Sequence, residues 1–485
     1  MESPKKVIVG CDLCDDFTQL CCYSHRAAEP VMIGLREEEE SRIPTVLAYN
    51  KDTKKWLFGE DALTCAAAKT GVLVDHLVEK LQNGEEVELE GVKYSPIALL
   101  TEYLRKTMAL VKSYFPSEPI TKLVVTVADN EPALYDKIYE VLLALGLGRD
   151  RVWISSHSDC YLYYALSQEK SLWQNDIGLF DFSEKGLIFY QIRISRRTKP
   201  IIAKLFRTDY SNTLNFTIRN KYYDELSKRT ACDGKLQEDM LQSSSNYFKS
   251  MIGISKSDSK TAGAAMRKTD SAKAAAGKIS AGNMTNSVDL NPAYIFENIA
   301  NTALYKQIVT TIYITGSGFE GGWAEDAIKS LCVGRRVFFG QNLYAKGACY
   351  AARELSGESS LHDVMLLGED RVSTSVMMQV YCDAALKDLA VIEADERWYE
   401  VDKNIEVIAE NGAQLNLILK NAMTRDIIQR SVLFEKLPER PDRMTRLRLQ
   451  FTCTEQSVVM VNVMDLGFGD IYPGIGQLEE FMIEL

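Results

Sequence analysis

Buried strands and amphipathic helices alternate along the first 355 residues, and the same order of elements occurs twice. The first half opens with the apolar run Val7–Asp12 and continues through two more strands before helices and strands alternate. The second half opens with Ile177–Asp181 and repeats that order. Short apolar runs bounded by turn residues are typical of buried strands. The repeat predicts two similar α/β lobes, residues 1–170 and 171–355.

An aspartate ends the first strand of each predicted lobe, Asp12 in the first and Asp181 in the second. Helices and strands alternate by chance in many α/β proteins, so these matched aspartates carry more weight than the repeat itself. In a fold of two equivalent lobes, both carboxylates are expected to point into the cleft between the lobes.

The pattern changes after residue 370 to short runs in which apolar and polar residues alternate. Thr445–Asp465 is predicted to be a long hairpin, because charged and apolar residues alternate along it. Such runs, separated by turn signals, are typical of antiparallel sheets. Residues 371–485 are therefore predicted to form a β-sandwich, which a linker at 356–370 joins to the second lobe.

Residues 243–288 form a low-complexity insertion in the second lobe. The run Ser255–Asn286 consists mainly of Ser, Ala, Gly, Lys, Thr and Asn. This composition buries too little apolar surface to offset the entropy of ordering the chain, so a mobile segment is predicted. It is interpreted either as a solvated linker or as a loop that binds a partner.

Composition limits the classes of function. Hydrophobic residues make up 46% of the 485 residues and charged residues 25%, as in ordinary globular proteins. No apolar run approaches the length of a membrane span, and the first six residues do not resemble a signal peptide, so a cytoplasmic location is predicted. The net charge of −11 argues against nucleic-acid binding. The eleven cysteines are odd in number and scattered, which does not indicate a disulfide framework.

Three motifs resemble those of the superfamily of actin, sugar kinases and DnaK-type chaperones. A first phosphate loop matches Gly10–Leu13, a second matches Phe180–Phe182, and an adenosine loop matches Ile312–Phe319, followed by a small-residue helix near Ala345. The resemblance covers roughly residues 5–355 and is closest to the chaperone branch, of which the chain looks like a divergent bacterial member.

The resemblance implies two ribonuclease-H-like lobes that bind ATP or ADP with Mg²⁺. Asp12 and Asp181 would hold the ion through water and position the attacking water. The nucleotide contacts that the resemblance implies are Asp12, Leu13, Cys14, Asp181, Ser183, Gly186, Gly316, Ser317, Gly318 and Phe319.

The sequence departs from the family at both phosphate loops. Cys14–Asp16 stands where the family has Gly-Thr-Thr, and Ser183–Gly186 stands where it has three glycines and a threonine. The family's catalytic glutamate would fall near Ser156 or His157. Asp15 and Asp16 beside a polyphosphate would cost about 4 kcal/mol per pair of unit charges at 4 Å. Weak binding with little or no hydrolysis is therefore expected rather than a robust ATPase.

Three functions remain open at this point. The first is a chaperone-like module that binds ATP or ADP and engages a protein partner or peptide through its β-sandwich. The second is a non-enzymatic actin-fold scaffold. The third is a small-molecule kinase, which the C-terminal β region disfavours.

Two possible metal or catalytic motifs carry less weight. Cys11 and Cys14, near His25, have the spacing of half a zinc site, but no second pair accompanies them, so core or hairpin thiols are predicted. His157 is predicted to be a satisfied polar residue at a helix start.

Overall fold

The structure is a computed structural model, and it describes residues 6–24, 29–34, 42–230, 291–340, 342–358, 360–382, 384–410 and 414–485. The predicted insertion at 243–288 and the candidate ligand His25 lie outside the described residues. The chain divides into two compact units, one of residues 1–177, 190–206 and 340–485, the other of residues 178–189 and 207–339. Each unit is described by itself.

The N-terminal part of the chain contains a six-stranded sheet, two smaller sheets and their helices. Among the described residues up to 167, the elements are β1 (Val7–Leu13), β2 (Phe17–Ser24), β3 (Val31–Ile33), β4 (Arg42–Pro44), β5 (Leu47–Asn50), β6 (Lys55–Phe58), α1 (Gly59–Ala67), β7 (Gly71–Val74), α2 (Leu77–Asn83), β8 (Val87–Leu89), β9 (Val92–Tyr94), α3 (Pro96–Tyr114), β10 (Ile120–Val127), α4 (Pro132–Ala144), β11 (Val152–Ser156) and α5 (His157–Ser167).

The first six-stranded sheet has the order β11-β10-β1-β2-β3, with β4 beside β2. β10 is parallel to both β1 and β11, whereas β2 is antiparallel to β1. All seven residues of β1 are buried, as expected for an apolar strand covered on both faces. The parallel arrangement brings the carboxyl ends of β1 and β11 to the same edge of the sheet.

The middle of the chain contains a second six-stranded sheet. Its described elements are β12 (Asp176–Ser183), β13 (Gly186–Ser195), β14 (Ile201–Asp209), α6 (Phe216–Thr230), α7 (Pro292–Ala303), β15 (Val309–Thr315), α8 (Glu325–Leu331), β16 (Arg336–Phe339), α9 (Leu343–Leu355) and β17 (Val364–Leu367). The strand order is β16-β15-β12-β13-β14-β17. If β4–β9 and β17 are left aside, each large sheet contains five strands, β1, β2, β3, β10 and β11 in the first and β12–β16 in the second. Numbered from 1 to 5 in chain order, the strands of both sheets are arranged in the order 5-4-1-2-3.

Part of the predicted linker at 356–370 is a strand. Val364–Leu367 forms β17 and pairs in parallel with Ile201–Lys204 of β14. An apolar run of four residues can satisfy its backbone groups at the edge of a sheet. This explains why the segment pairs with β14 rather than lying free in solvent.

Helix α9 lies close to β1 and α5 because small residues line its contacts. A Cβ on Gly10 would overlap the backbone of Ala345 and Cys349, and a Cβ on Gly347 would overlap the backbone carbonyl of Cys160. The small side chains of α9 therefore match the small-residue helix that the sequence predicted after the adenosine loop.

The C-terminal part consists of antiparallel strands. These are β18 (Thr374–Cys382), β19 (Ala385–Ile392), β20 (Asp402–Ala409), β21 (Gln414–Asn421), β22 (Ile427–Leu433), β23 (Thr445–Glu455), β24 (Val458–Phe468) and β25 (Tyr472–Glu484). They form two four-stranded sheets, ordered β19-β18-β21-β22 and β20-β23-β24-β25. Leu417 of the first sheet and Phe451 and Val461 of the second belong to one buried apolar cluster.

Two coarse predictions are confirmed: the chain is a mixed α/β protein, and its C-terminal strands are antiparallel. The predicted hairpin at Thr445–Asp465 corresponds to β23 and β24, which pair antiparallel. Among the described residues, no helix combines the length and apolar content that a bilayer crossing requires.

Candidate functional site

Three chemically different side chains converge at the carboxyl end of β1. Asp12 lies near the end of that strand, Cys14 lies in the following turn, and His157 begins α5 directly after β11. The Nε2 atom of His157 lies 2.7 Å from Oδ1 of Asp12. The Cys14 Sγ atom lies 3.5 Å from the same Oδ1 and 3.7 Å from the same Nε2.

The orientation of the His157 ring is fixed by its surroundings. The ring stacks on Tyr344 of α9, with centroids 3.9 Å apart and planes 9° from parallel. Ser156 caps α5, because its Oγ accepts a hydrogen bond from the backbone N–H of Asp159. Asp12 is 3% exposed and His157 is 8% exposed, whereas Cys14 is half-buried. The group is therefore buried, with its thiol nearest to solvent.

The chemistry of this group differs from that of a magnesium site. A carboxylate only accepts hydrogen bonds, so the Nε2–H group of His157 is the donor in its hydrogen bond to Asp12. Mg²⁺ prefers an octahedral shell of oxygen ligands, whereas Asp12 is surrounded by nitrogen and sulfur. The residues around Asp12 thus do not fit the water-coordinated Mg²⁺ that the resemblance implied.

Asp15, in the turn after β1, makes hydrogen bonds to the start of α2. Its carboxylate accepts hydrogen bonds from the backbone N–H groups of Val78 and Glu79, at 2.8 and 3.2 Å. It therefore satisfies free N–H groups at the start of α2. That Asp15 would repel a bound polyphosphate stays a prediction. Leu13 is 1% exposed and packs in the core, so its side chain is not available to a ligand.

The other predicted contacts lie in the second unit. Asp181, near the end of β12, is 5% exposed and lies beside Gly316, where a Cβ would be 2.9 Å from its Oδ1. Gly316 and Gly186 both have positive φ angles, near 98° and 97°, which favour glycine. Ser183 ends β12. Asp12 belongs to the first unit, so the facing of Asp12 and Asp181 across a cleft stays a prediction.

Two backbone carbonyl groups of the predicted adenosine loop accept hydrogen bonds from neighbouring side chains. Arg219 donates to the carbonyl oxygens of Gly318 and Ser317, at 2.9 and 3.4 Å, and the Trp323 indole donates to that of Gly318 at 2.9 Å. Phe319 is buried and its ring stacks on that of Trp323. A Cβ on Gly318 would overlap the Phe182 ring. Packing in this unit therefore accounts for Gly318 without a nucleotide.

A polar pocket with a volume of about 180 Å³ is lined in part by residues of β11 and α5. Its walls include Trp153, Asp159, Asp370, Asp395 and Arg397. Asp159 is 5% exposed, and its Oδ2 accepts from Ser156 while its Oδ1 has no hydrogen-bond partner. Burial, with a further contribution from Asp370, raises the pKa of Asp159 well above its usual value.

An ion pair lies in this pocket as well. Asp370 pairs with Arg397, whose Nε is 2.9 Å away and whose guanidinium lies 3.7 Å from the centre of the Trp153 ring. Burial raises the pKa of Asp395 to about 6, although Arg371 lowers it.

Sequence reasoning considered Cys14 and His157 separately and did not bring them together. The signal that could have joined them is topological: two parallel strands, β1 and β11, end at one edge of a sheet. The prediction that His157 begins a helix agrees with the structure, and its hydrogen bond goes to Asp12. The pocket at Asp159 was missed, because more than half of its wall comes from residues 354–397, about 200 residues further along the chain.

The fold defines a mixed α/β protein that carries a C-terminal domain of antiparallel strands. Residues 29–369 match the model of a family described as "Family of unknown function (DUF5716) C-terminal", and the chain belongs to this family. Residues 371–485 match a model described as "Domain of unknown function (DUF8552)". No curated protein matches the chain.

Proposed function

We propose that the chain is a divergent actin-like protein of the DnaK type, which binds ATP or ADP with little or no hydrolysis. One observation carries the proposal. The two six-stranded sheets share the strand order 5-4-1-2-3, and the first strand of each sheet contains a buried aspartate near its end, Asp12 or Asp181. Two ribonuclease-H-like lobes with this arrangement would reproduce the pattern of the superfamily that the sequence resembles.

Weak or lost hydrolysis follows from the chemistry around Asp12. Phosphoryl transfer depends on a metal ion that neutralises developing charge and on a residue that orients the attacking water. The family's glutamate would fall near Ser156 or His157, and the Nε2–H of His157 donates to Asp12 rather than accepting a proton from water. Hydrolysis at the rate of a true ATPase is therefore not expected.

The C-terminal domain supplies a surface for a protein partner in this proposal. Its first sheet exposes large apolar side chains on both edge strands: Leu386 on β19 is 65% exposed, and Ile427 and Leu433 on β22 are 62% and 63% exposed. Edge strands with exposed apolar residues favour pairing with another chain. An extended peptide that adds to one of these edges is the partner that this surface suits best.

Isothermal titration of the full chain with Mg-ATP and Mg-ADP tests the nucleotide proposal. We expect a binding heat at millimolar nucleotide that is lost in Asp181→Ala, together with phosphate release no faster than in a protein-free blank. Arg443→Ala, at an exposed surface ion pair, is the matched control and should bind like the parent. A complete lack of heat at millimolar nucleotide would remove the proposal.

A non-enzymatic scaffold is the second candidate, and the adenosine loop favours it. Arg219 and Trp323 already bond the loop carbonyls, so the loop is ordered without a ligand. A scaffold predicts that an affinity-purified partner is recovered equally with and without nucleotide and equally from Asp181→Ala. Recovery that changes with ATP would contradict this candidate.

A further inference from the structure

The geometry points to a zinc-binding site formed by Asp12, Cys14 and His157, which goes beyond nucleotide binding and does not depend on it. A carboxylate oxygen, a thiolate sulfur and an imidazole nitrogen are the three donor types that proteins use for Zn²⁺. Here the three donor atoms all lie within 4.8 Å of one another, although Cys14 and His157 are 143 residues apart.

The distances between the donor atoms fit a tetrahedral ion. Zinc bonds of about 2.3 Å to sulfur and about 2.1 Å to nitrogen and oxygen place the sulfur about 3.6 Å from each of the other two donors. The observed sulfur distances are 3.5 and 3.7 Å. The same geometry requires about 3.4 Å between nitrogen and oxygen. The observed distance between these atoms is 2.7 Å, which is that of a hydrogen bond.

The hydrogen bond between Nε2 of His157 and Oδ1 of Asp12 has to open when the ion enters, and the Cys14 thiol gives up its contact with the same oxygen. Zn²⁺ replaces the proton on Nε2 of His157, and this proton moves to Nδ1 of the neutral ring. The Cys14 thiol loses its proton to solvent, so that binding releases one proton and forms bonds from the ion to S⁻, Nε2 and Oδ1. Three protein ligands leave a fourth position for water, as in catalytic zinc sites.

The surroundings of the group favour a preorganised site. Tyr344 stacks on the imidazole and holds its plane, and β1 holds Asp12 in the centre of a buried sheet. Half-buried Cys14 provides the route by which the ion can enter. The same donors explain why Asp12 fits Mg²⁺ poorly, since nitrogen and sulfur ligands select zinc over magnesium.

Cobalt substitution of the chelator-treated full chain tests the site directly. Co²⁺ added under reducing conditions should give a thiolate charge-transfer band and tetrahedral ligand-field bands that saturate at one equivalent. Zn²⁺ should abolish the bands, and millimolar Mg²⁺ should not. Cobalt spectra without a thiolate band, or bands that Mg²⁺ removes, would overturn the proposal without reference to any variant.

Paired variants locate the ion. Cys14→Ser should remove the thiolate band, and His157→Gln should weaken zinc affinity at least about tenfold in competition with a chromophoric chelator. The matched controls are Cys382→Ser and His76→Gln, at an exposed thiol and an exposed imidazole, and they should bind like the parent. Circular dichroism establishes that each variant is folded. Unchanged zinc affinity and an unchanged cobalt spectrum in folded Cys14→Ser would place the ion elsewhere and refute the assignment.

Discussion

Individual carboxyl groups in this protein differ in their task because their surroundings differ. Asp12 accepts from His157, Asp15 accepts from two backbone N–H groups, and Asp159 lies in a pocket with other acids. Burial, followed by the neighbouring carboxylates of Asp370 and Glu369, raises the pKa of Asp159, and the Ser156 hydroxyl and Arg371 oppose this only in part. Asp159 is therefore held as a neutral acid in the folded protein at pH values where a solvent-exposed aspartate is ionised.

This neutral acid makes stability depend on pH. The pKa of Asp159 in the folded protein is raised above the ordinary value of 3.8. The contribution of the protonated Asp159 to the unfolding free energy is therefore fully present below pH 3.8 and is lost as the pH rises through the folded pKa. Relative to Asp159→Asn, the unfolding free energy of the parent should fall by about 1.4 kcal/mol per pH unit between the two pKa values. Denaturant unfolding of both proteins at a series of pH values measures this difference.

Comparison with the Asn variant removes from the result the titration of groups that do not interact directly with Asp159. Asp395, with its pKa of about 6, titrates in both proteins and cancels in the difference. A difference in unfolding free energy that stays constant above pH 4 would show that Asp159 has an ordinary pKa.

Asp15 allows a second prediction at the level of one residue. Asp15→Ala leaves two N–H groups at the start of α2 without their acceptor, which should cost about 1 kcal/mol of stability. Asp15→Asn keeps an acceptor oxygen and should cost less. Thermal and urea unfolding measure both changes, and nucleotide titration should be the same in both variants. Tighter nucleotide binding in Asp15→Ala would instead indicate that this carboxylate faces the phosphates.

At the scale of elements, the close approach of helix α9 to its neighbours is the main constraint. Gly347 allows α9 to contact the backbone of α5 at Cys160. Alanine is about 1 kcal/mol better than glycine in a helix interior. Gly347→Ala should nevertheless lower the unfolding free energy by about 1–3 kcal/mol, because the added methyl group forces the two helices apart.

Gly340→Ala is the matched control for this prediction. A Cβ at Gly340 meets Leu343 at 3.5 Å, which is an ordinary contact, so the change should stay within about 0.5 kcal/mol. Equal stability of the two alanine variants in urea unfolding would show that the crossing of α5 and α9 tolerates a methyl group.

Local patterns predicted the elements well where periodicity decides the structure. The alternation in Thr445–Asp465 became β23 and β24, with every second residue from Thr445 to Phe451 buried. Prediction failed where the partner lies far along the chain. Asp15 finds its N–H donors more than 60 residues away, and Cys14 meets His157 through the parallel ends of β1 and β11. Val364–Leu367 is short and apolar, so its sequence alone does not distinguish a linker from an edge strand.

At the scale of the whole molecule, Arg397 links the C-terminal domain to the first large sheet. It is 6% exposed, pairs with Asp370, and places its guanidinium over Trp153, the second residue of β11. Replacing one partner of a buried ion pair leaves an uncompensated charge. The first sheet and the C-terminal strands belong to the same compact unit, so this pair is expected to couple their unfolding.

Arg397→Ala should lower the unfolding free energy by about 3–5 kcal/mol, since Asp370 stays buried without its cation. The loss should appear in both tryptophan fluorescence and far-ultraviolet circular dichroism, and the two transitions should separate because the coupling across Arg397 is gone. Arg443→Ala removes an equally short ion pair to Glu410 in which both side chains are more than half exposed, and should cost at most about 1 kcal/mol. If Arg397→Ala costs no more than Arg443→Ala, the cation is not what joins the C-terminal domain to the sheet. The stacked contact with Trp153 and the apolar packing around it would then be sufficient to hold the domain in place.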